Sequence, residues 1–329
     1  MKIKHTFPLA LLSACLLSAN PANAEIPSSE ALNGFISQMV KQHAFNEAEL
    51  RSLFKSVDIQ QSILDAMAKP AEGKPWYQYR EIFLAESRIA GGVQFWRDNE
   101  AALKTVEQQY GVPAEIIIAI IGVETRYGAV TGKYRVIDAL ATLGFAYPAR
   151  SEFFLKELEN FLLLSREEKM DPLKPLGSYA GAMGLSQFMP SSFRAYARDF
   201  DQDQKRDIWH NSRDAIASVA NYFVAQQWQR GGAIAFQVAA KSDAYRQAIG
   251  KGLKPDTSIG QLRKLGVGVP TVLADSENAK LLSYALLDGE ELWLGLHNFY
   301  VITRYNHSPL YALAVYQLSE AIRDRKSNG

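Results

Sequence analysis

The sequence predicts a mainly α protein with a small β-containing insertion near its C-terminal end. Helical periodicity dominates from about residue 28 to residue 230. Residues 231–295 turn to glycine and short β-prone runs, and helical patterning returns at 298–305 and 309–324. With 329 residues and 47% hydrophobic content, the chain has material for a large core in two or three subdomains.

Residues 1–24 read as a secretory leader. Lys2 and Lys4 form its basic start, Phe7 to Ala19 its apolar run and Ala22-Asn23-Ala24 its cleavage site. The run is too short to span a membrane permanently. Cys15, the only cysteine, lies in this leader, so a mature chain from Glu25 has neither thiol nor disulfide, which suits a Gram-negative periplasm. Leu12-Ser13-Ala14-Cys15 also fits a lipoprotein box, in which Cys15 is acylated and anchors the chain. Leu16 and Leu17 prolong the apolar run where a polar tether should begin, which favours the soluble form.

Residues 25–110 form an N-terminal helical region. Asn46 with Glu49 makes a capping box opening a helix over 47–57, Gly91-Gly92 interrupts a longer helical stretch, and Tyr110-Gly111 ends it. Residues 111–230 form a central helical region, with helices expected at 113–126, 136–143, 151–164 and 213–228 and a Gly/Pro/Ser-rich loop with a short helix at 171–192. In the 231–295 subdomain, Phe236–Ala239, Pro270–Leu273, Leu281–Leu287 and Leu292–Leu296 read as strands, with Asp288-Gly289 as a turn. Residues 296–329 supply C-terminal helices that complete the core.

The formal charge is +1, and −1 without Lys2 and Lys4, which gives no electrostatic grip on nucleic acid. His5, His43, His210, His297 and His307 show no zinc-site spacing.

Glu124, in Gly122-Val123-Glu124-Thr125-Arg126-Tyr127-Gly128, is the most informative residue. Pro113 suits the first position of a helix, and the residues after it are apolar on every side, so that helix is buried. Apolar surroundings and the negative end of the helix dipole both disfavour an ionised carboxylate at its last turn. A raised pKa is what a general acid needs near neutral pH. Gly128 suits the position just past the helix end. The plain alternative is a structural glutamate paired to Arg126 or Arg150. The second signal is residues 177–192, where glycines, alanines and serines keep the backbone thin and Ser178 and Gln187 offer hydrogen bonds. Its plain alternative is a tight helix crossing.

The runs GVETRYG, SYAGAMGLSQFMPSS and ITRYNHSPLYALAVYQL, in this order, resemble the lytic murein transglycosylases of the B type, relatives of the lysozyme superfamily that cleave peptidoglycan. The resemblance covers nearly all of the mature chain. It implies a lysozyme-like helical catalytic core, a cleft for peptidoglycan glycan strands and one catalytic glutamate, here Glu124. It further implies substrate contacts at Ser178, Gln187, Tyr222, Asn306 and Tyr311, to which Arg150 is added as a candidate. Ordinary glycosidases need two carboxylates, and no convincing second one stands near these motifs. A lone acid fits an intramolecular route: Glu124 protonates the glycosidic oxygen, then takes the proton from the muramoyl C6 hydroxyl as a 1,6-anhydro ring closes. A true hydrolase of the same glycan and a non-enzymatic peptidoglycan-binding scaffold are the alternatives.

Asp199, Asp201 and Asp203 occupy positions 1, 3 and 5 of an EF-hand-like loop, and the Lys205 carbonyl suits position 7. Gln204 replaces the usual glycine and His210 the usual glutamate, for which Asp214 is the candidate substitute. The resemblance implies such a site with variable ligands, holding a structural rather than catalytic Ca2+; no organic cofactor is expected. The alternative is a solvated acidic loop with Asp214 as a helix N-terminal charge.

Overall fold

The computed structural model describes residues 29–68, 74–250 and 252–328, so the leader, Cys15 and the expected cleavage site lie outside the described residues. The chain is mainly helical, as expected. Its helices are α1 (Ser29–His43), α2 (Glu47–Phe54), α3 (Gln61–Met67), α4 (Trp76–Phe83), α5 (Glu86–Asp98), α6 (Glu100–Tyr110), α7 (Ala114–Thr125), α8 (Val136–Ala146), α9 (Ser151–Glu167), α10 (Pro190–Tyr196), α11 (Ser212–Ala225), α12 (Ile259–Lys264), α13 (His297–Tyr305) and α14 (Pro309–Ser327). Strands β1 (Tyr134–Arg135) and β2 (Leu176–Gly177) make one small antiparallel sheet. Strands β3 (Ala235–Val238), β4 (Thr257–Ser258), β5 (Asn278–Ala285) and β6 (Glu290–Gly295) make another, in the order β3-β6-β5-β4.

Two large apolar cores organise the helices. One gathers α4–α7, α11, α13 and α14; the other gathers α1–α3 and α8–α10. Residues 25–110 therefore do not pack as one unit, because the helices on either side of residue 70 join different cores. Tyr222 and Tyr305 pack against both cores and mark the seam between them. A third core lies inside the β-containing insertion. Period-two alternation docks this insertion: Leu281, Leu292 and Leu294 face its own core, whereas Leu282, Tyr284 and Trp293 face the first helical core.

Helix α7 is the axis of the first core. Ile116 through Ile121 are buried, and α5, α11 and α14 pack around them. An apolar helix without a polar face has no stable place at a surface, so its sequence fixes its central position. At the other end of the chain, Asn46 Oδ1 accepts the backbone N–H of Glu49 at 3.1 Å, the Asn46 half of the expected capping box.

Three local expectations are corrected. Gly91-Gly92 does not interrupt a helix: α5 runs through both. A Cβ on Gly91 would stand 2.9 Å from the Tyr127 ring, so the pair permits close packing, not a break. Pro270–Leu273 is a turn and not a strand. The Arg263 guanidinium bonds the carbonyls of Pro270 and Leu273 at 3.1 and 2.8 Å, which curls the run around it. The helix expected over 113–126 turns at Arg126 (φ 51°), before Gly128 is reached.

Candidate active site

The end of α7 positions Glu124. Arg126 (φ 51°), Tyr127 (φ 59°) and Gly128 (φ 93°) form three consecutive left-handed residues. That conformation is costly for a non-glycine residue and persists only where the surroundings hold it. Here they do. Tyr127 OH donates to Arg88 O at 2.8 Å, and Arg88 Nη1 donates to Gly122 O at 2.5 Å. Thr125 Oγ1 donates to Ile121 O at 3.0 Å and to Leu185 O at 3.3 Å, and accepts Gly128 N at 3.1 Å. These bonds pin the turn to α5 and to the 177–192 loop.

Glu124 keeps part of its side chain open to the surface, as an acid that must reach a ligand requires. Its carboxyl nevertheless lies deep enough for burial to push its pKa up to about 7. Tyr311 OH donates to Glu124 Oε1 at 2.6 Å, which stabilises the carboxylate and partly offsets burial. Among the described residues no neighbouring carboxylate contributes to the shift, and neither Arg126 nor Arg150 makes an ion pair with Glu124. The reading of Glu124 as a structural ion-pair partner therefore has no bond to rest on. Arg150 lies instead over the rings of Phe153 and Phe154, 4.5 and 5.1 Å from their centroids.

Besides Tyr311, Tyr305 stands close enough to feel the charge of this carboxyl. Tyr305, not singled out from the sequence, donates its OH to Ser186 O at 2.6 Å. Burial and then the charge of Glu124 hold its hydroxyl well above the usual tyrosine range. Its signal was its place in the third motif, beside Asn306, but it was one of many aromatics. Tyr222 packs its ring 4.9 Å from that of Tyr305 and donates to Arg304 O at 2.5 Å; burial pushes its pKa up to about 12. Gln187 (φ 48°) donates through Nε2 to Thr131 O at 3.2 Å and Gly184 O at 2.8 Å, which orients its amide. Ser178 Oγ accepts the N–H groups of Ala180 and Ala182 at 3.2 and 3.0 Å, which shapes the loop. Asn306 is exposed at the C-cap of α13. The thin backbone has a packing cause as well: a Cβ on Gly184 would collide with Ile208 O.

A family model described as the transglycosylase SLT domain matches residues 28–320. The chain belongs to the transglycosylase SLT domain family. It is 45% identical over 298 residues to membrane-bound lytic murein transglycosylase B of Escherichia coli strain K12, covering 88% of this chain and 81% of that one. The soluble lytic transglycosylase SltB1 of Pseudomonas aeruginosa superposes with a TM-score of 0.87 at 48% identity, covering 90% of this chain and 99% of that one. The Escherichia coli lytic transglycosylase Slt35 in complex with calcium superposes with a TM-score of 0.83 at 43% identity, covering 90% and 94%. SltB3 of Pseudomonas aeruginosa in complex with NAG-NAM-pentapeptide does so with a TM-score of 0.80 at 32% identity, covering 89% and 79%. The helical core is thus the lysozyme-like fold of these enzymes.

In this SLT-family transglycosylase the acidic loop sits between α10 and α11. One carboxylate oxygen each from Asp199, Asp201 and Asp203 lies within 4.8 Å of the others. That spacing fits oxygens sharing a cation at the 2.3–2.6 Å typical of calcium. Gln204 adopts φ 72°, the left-handed turn that glycine usually supplies at its position. Asp214 is not brought into the cluster: Oδ1 accepts Phe200 N at 2.8 Å and Oδ2 accepts Asp207 N at 2.9 Å. It clamps the loop ends to α11, and burial pushes its pKa up to about 6. Asp207 Oδ1 accepts the N–H groups of Trp209 and His210, which shapes the turn that leads into α11. Lys205 N donates to Asp203 Oδ1 at 2.9 Å, a contact that orders the fifth-position carboxylate.

Proposed function

We propose that Glu124 is the single acid and base of a peptidoglycan lytic transglycosylase. The observation that carries this reading is a carboxyl poised near pH 7, held by one hydroxyl donor, with no carboxylate partner. Paired-carboxylate routes need a second acid; this site supplies one proton that must leave and return. Tyr311 occupies Oε1, so Oε2 delivers the proton to the oxygen of the β-1,4 bond between N-acetylmuramic acid and N-acetylglucosamine. The C–O bond breaks, and the substrate's own N-acetyl group supports the positive charge left on the muramoyl sugar. Glu124, now a carboxylate, accepts the C6 hydroxyl proton as that oxygen closes the 1,6-anhydro ring. The tethered hydroxyl competes with solvent by proximity.

Ser178, Gln187, Tyr222, Asn306 and Tyr311 are proposed to contact the glycan strand. Arg150 is left out, because its guanidinium is engaged by Phe153 and Phe154. Asp199, Asp201 and Asp203, with the Lys205 carbonyl, are proposed to hold a structural Ca2+. The residues 1–24 leader is proposed to deliver the chain to the periplasm, with acylation of Cys15 as the alternative that adds an anchor. Among the described residues, no helix is long and apolar enough to cross a membrane.

Digestion of purified sacculi tests the reaction. Muropeptides ending in 1,6-anhydro-N-acetylmuramic acid, one water lighter than hydrolytic products, are expected from wild type and absent with Glu124→Gln. Reducing-end muramic acid as the main product would establish the hydrolase instead.

A further inference from the structure

The proposed reaction leaves the β-containing insertion without a role. The insertion nevertheless grips the helices of the site at two points, and both grips come from one end of its sheet. Tyr284 on β5 and Glu291 on β6 are cross-strand partners in the antiparallel register, so their side chains stand on the same face. Leu282 and Trp293, on that same face, pack into the first helical core.

Glu291 holds α4. Its Oε1 accepts the Trp76 indole N–H at 2.6 Å, and its Oε2 accepts Gln237 Nε2 at 3.1 Å. Trp76 is buried, and Tyr79 stacks on it with ring centroids 6.3 Å apart. Tyr284 holds α14. It is 2% exposed, its ring lies 5.4 Å from that of Trp76, and its hydroxyl donates to Pro309 O at 3.1 Å. A buried hydroxyl without an acceptor carries a desolvation cost, so this bond resists slippage of the two elements. Pro309 is the first residue of α14, and Tyr311 sits in the same turn. Ser308 caps that turn, its Oγ accepting Tyr311 N at 3.3 Å. Tyr311 OH then donates to Glu124 Oε1 at 2.6 Å. One turn of helix is thus tied to the insertion at Pro309 and to the reacting carboxyl at Tyr311. The proline ring fixes φ at the anchored residue, which keeps that turn stiff.

We propose that Tyr284 is a positioning residue of the active site, and that the insertion is the clamp that fixes the first turn of α14. The proposal rests on the reading of Glu124 as the acid. The clamp sets where the Tyr311 hydroxyl stands, and that hydroxyl sets how readily Glu124 releases its proton.

Two readouts test it, one of them free of turnover. The first is the titration of the Glu124 carboxyl, followed by carboxyl-carbon NMR on glutamate-labelled protein and assigned with Glu124→Gln. Tyr284→Phe keeps the ring and deletes the hydroxyl. It should raise the Glu124 midpoint by about half a pH unit, because a slack α14 turn weakens the Tyr311 bond. In a Tyr311→Phe background the same substitution should add nothing, as for two residues acting through one contact. Tyr245→Phe is the control. It deletes a hydroxyl that donates to Glu290 Oε1 at 2.5 Å, from a ring packed in the insertion's own core. The midpoint should then stay at its wild-type value, even where the melting temperature falls as far as in Tyr284→Phe. The second readout is turnover of soluble glycan strands. Tyr284→Phe should lower kcat about tenfold and leave KM within about twofold of wild type, as for a misplaced reacting group. An unmoved midpoint in Tyr284→Phe would overturn the clamp. So would a shift that recurs in Tyr245→Phe or persists in the Tyr311→Phe background. A midpoint shift with unchanged kcat would uphold the clamp and count instead against Glu124 as the acid.

Discussion

Tyr311 and Glu124 are 187 residues apart in the chain and 2.6 Å apart in space. The phenol donates to Oε1, and its ring is buried in the first helical core. Burial acts to raise the pKa of Glu124, and this bond acts to lower it. Tyr311→Phe removes only the lowering contribution. Glu124 must be protonated to act as the acid, so the alkaline limb of the pH–rate profile should move to higher pH. The rate at neutral pH should fall by about 100-fold, the low end for loss of one aimed donor to a reacting group. A profile whose limb stayed in place would show that the bond is structural.

The same carboxyl makes a stability prediction of definite sign. Its folded pKa of about 7 lies above the ordinary glutamate range. The protonated form is thus favoured by folding, and that stability is lost as pH rises through 7. Glu124→Gln keeps the shape, stays neutral and still accepts the Tyr311 hydrogen. Wild type and variant should melt together at pH 4. At pH 8 the variant should be more stable by about 2 kcal/mol, a figure discounted because the side chain still reaches solvent. Differential scanning calorimetry across pH 4–8 reads this directly. Sacculus lysis by the variant should fall below a few per cent of wild type.

The helices and the lone acid were legible because their causes are local. The apolar run 116–121 has one stable destination, and a glutamate at its end carries its own chemistry. Proximity across the chain was not legible. The sequence contained Tyr305 and Tyr311, but periodicity does not show which hydroxyl meets which oxygen. Strands β1 and β2 are two residues each, too short for any alternation to register. Asp214 was read as a candidate metal ligand because it is an acid near an acidic loop. Its actual partners are the N–H groups of Phe200 and Asp207, which side-chain identities do not reveal. Pro270–Leu273 has strand-like composition, yet one guanidinium reshaped it.

Gly91-Gly92 was misread for a related reason, and the correction has a consequence for the site. The Tyr127 ring is wedged between Gly91 on α5 and Gly122 on α7, where an added Cβ would lie 2.9 and 2.6 Å away. Tyr127 is three residues from Glu124 and within the left-handed turn. Gly122→Ala should force the ring out, at a cost of about 1–3 kcal/mol for overpacking. Activity should fall further than stability alone accounts for, because the turn carries Glu124. Urea unfolding and lysis rate measured on one preparation separate the two effects. An alanine variant with wild-type stability and rate would show that the ring relocates freely.

The acidic loop gives the last expectation. Asp199, Asp201 and Asp203 crowd three carboxylates within 4.8 Å, an arrangement that repels itself unless a cation sits among them. A cation that binds only the folded chain stabilises it by mass action, by about 2.7 kcal/mol at a hundredfold excess over Kd. For a chain of this size that corresponds to a rise of roughly 4 °C in Tm. Asp203→Ala should abolish the calcium increment. It should also raise the melting point in chelator, because one like charge is gone. Asp214→Asn should behave differently. It removes the clamp on Phe200 N and Asp207 N rather than a member of the cluster, so it should lower Tm with and without calcium while part of the increment survives. If Asp214→Asn abolished the increment and Asp203→Ala did not, Asp214 would be the ligand and the loop would rearrange around the ion.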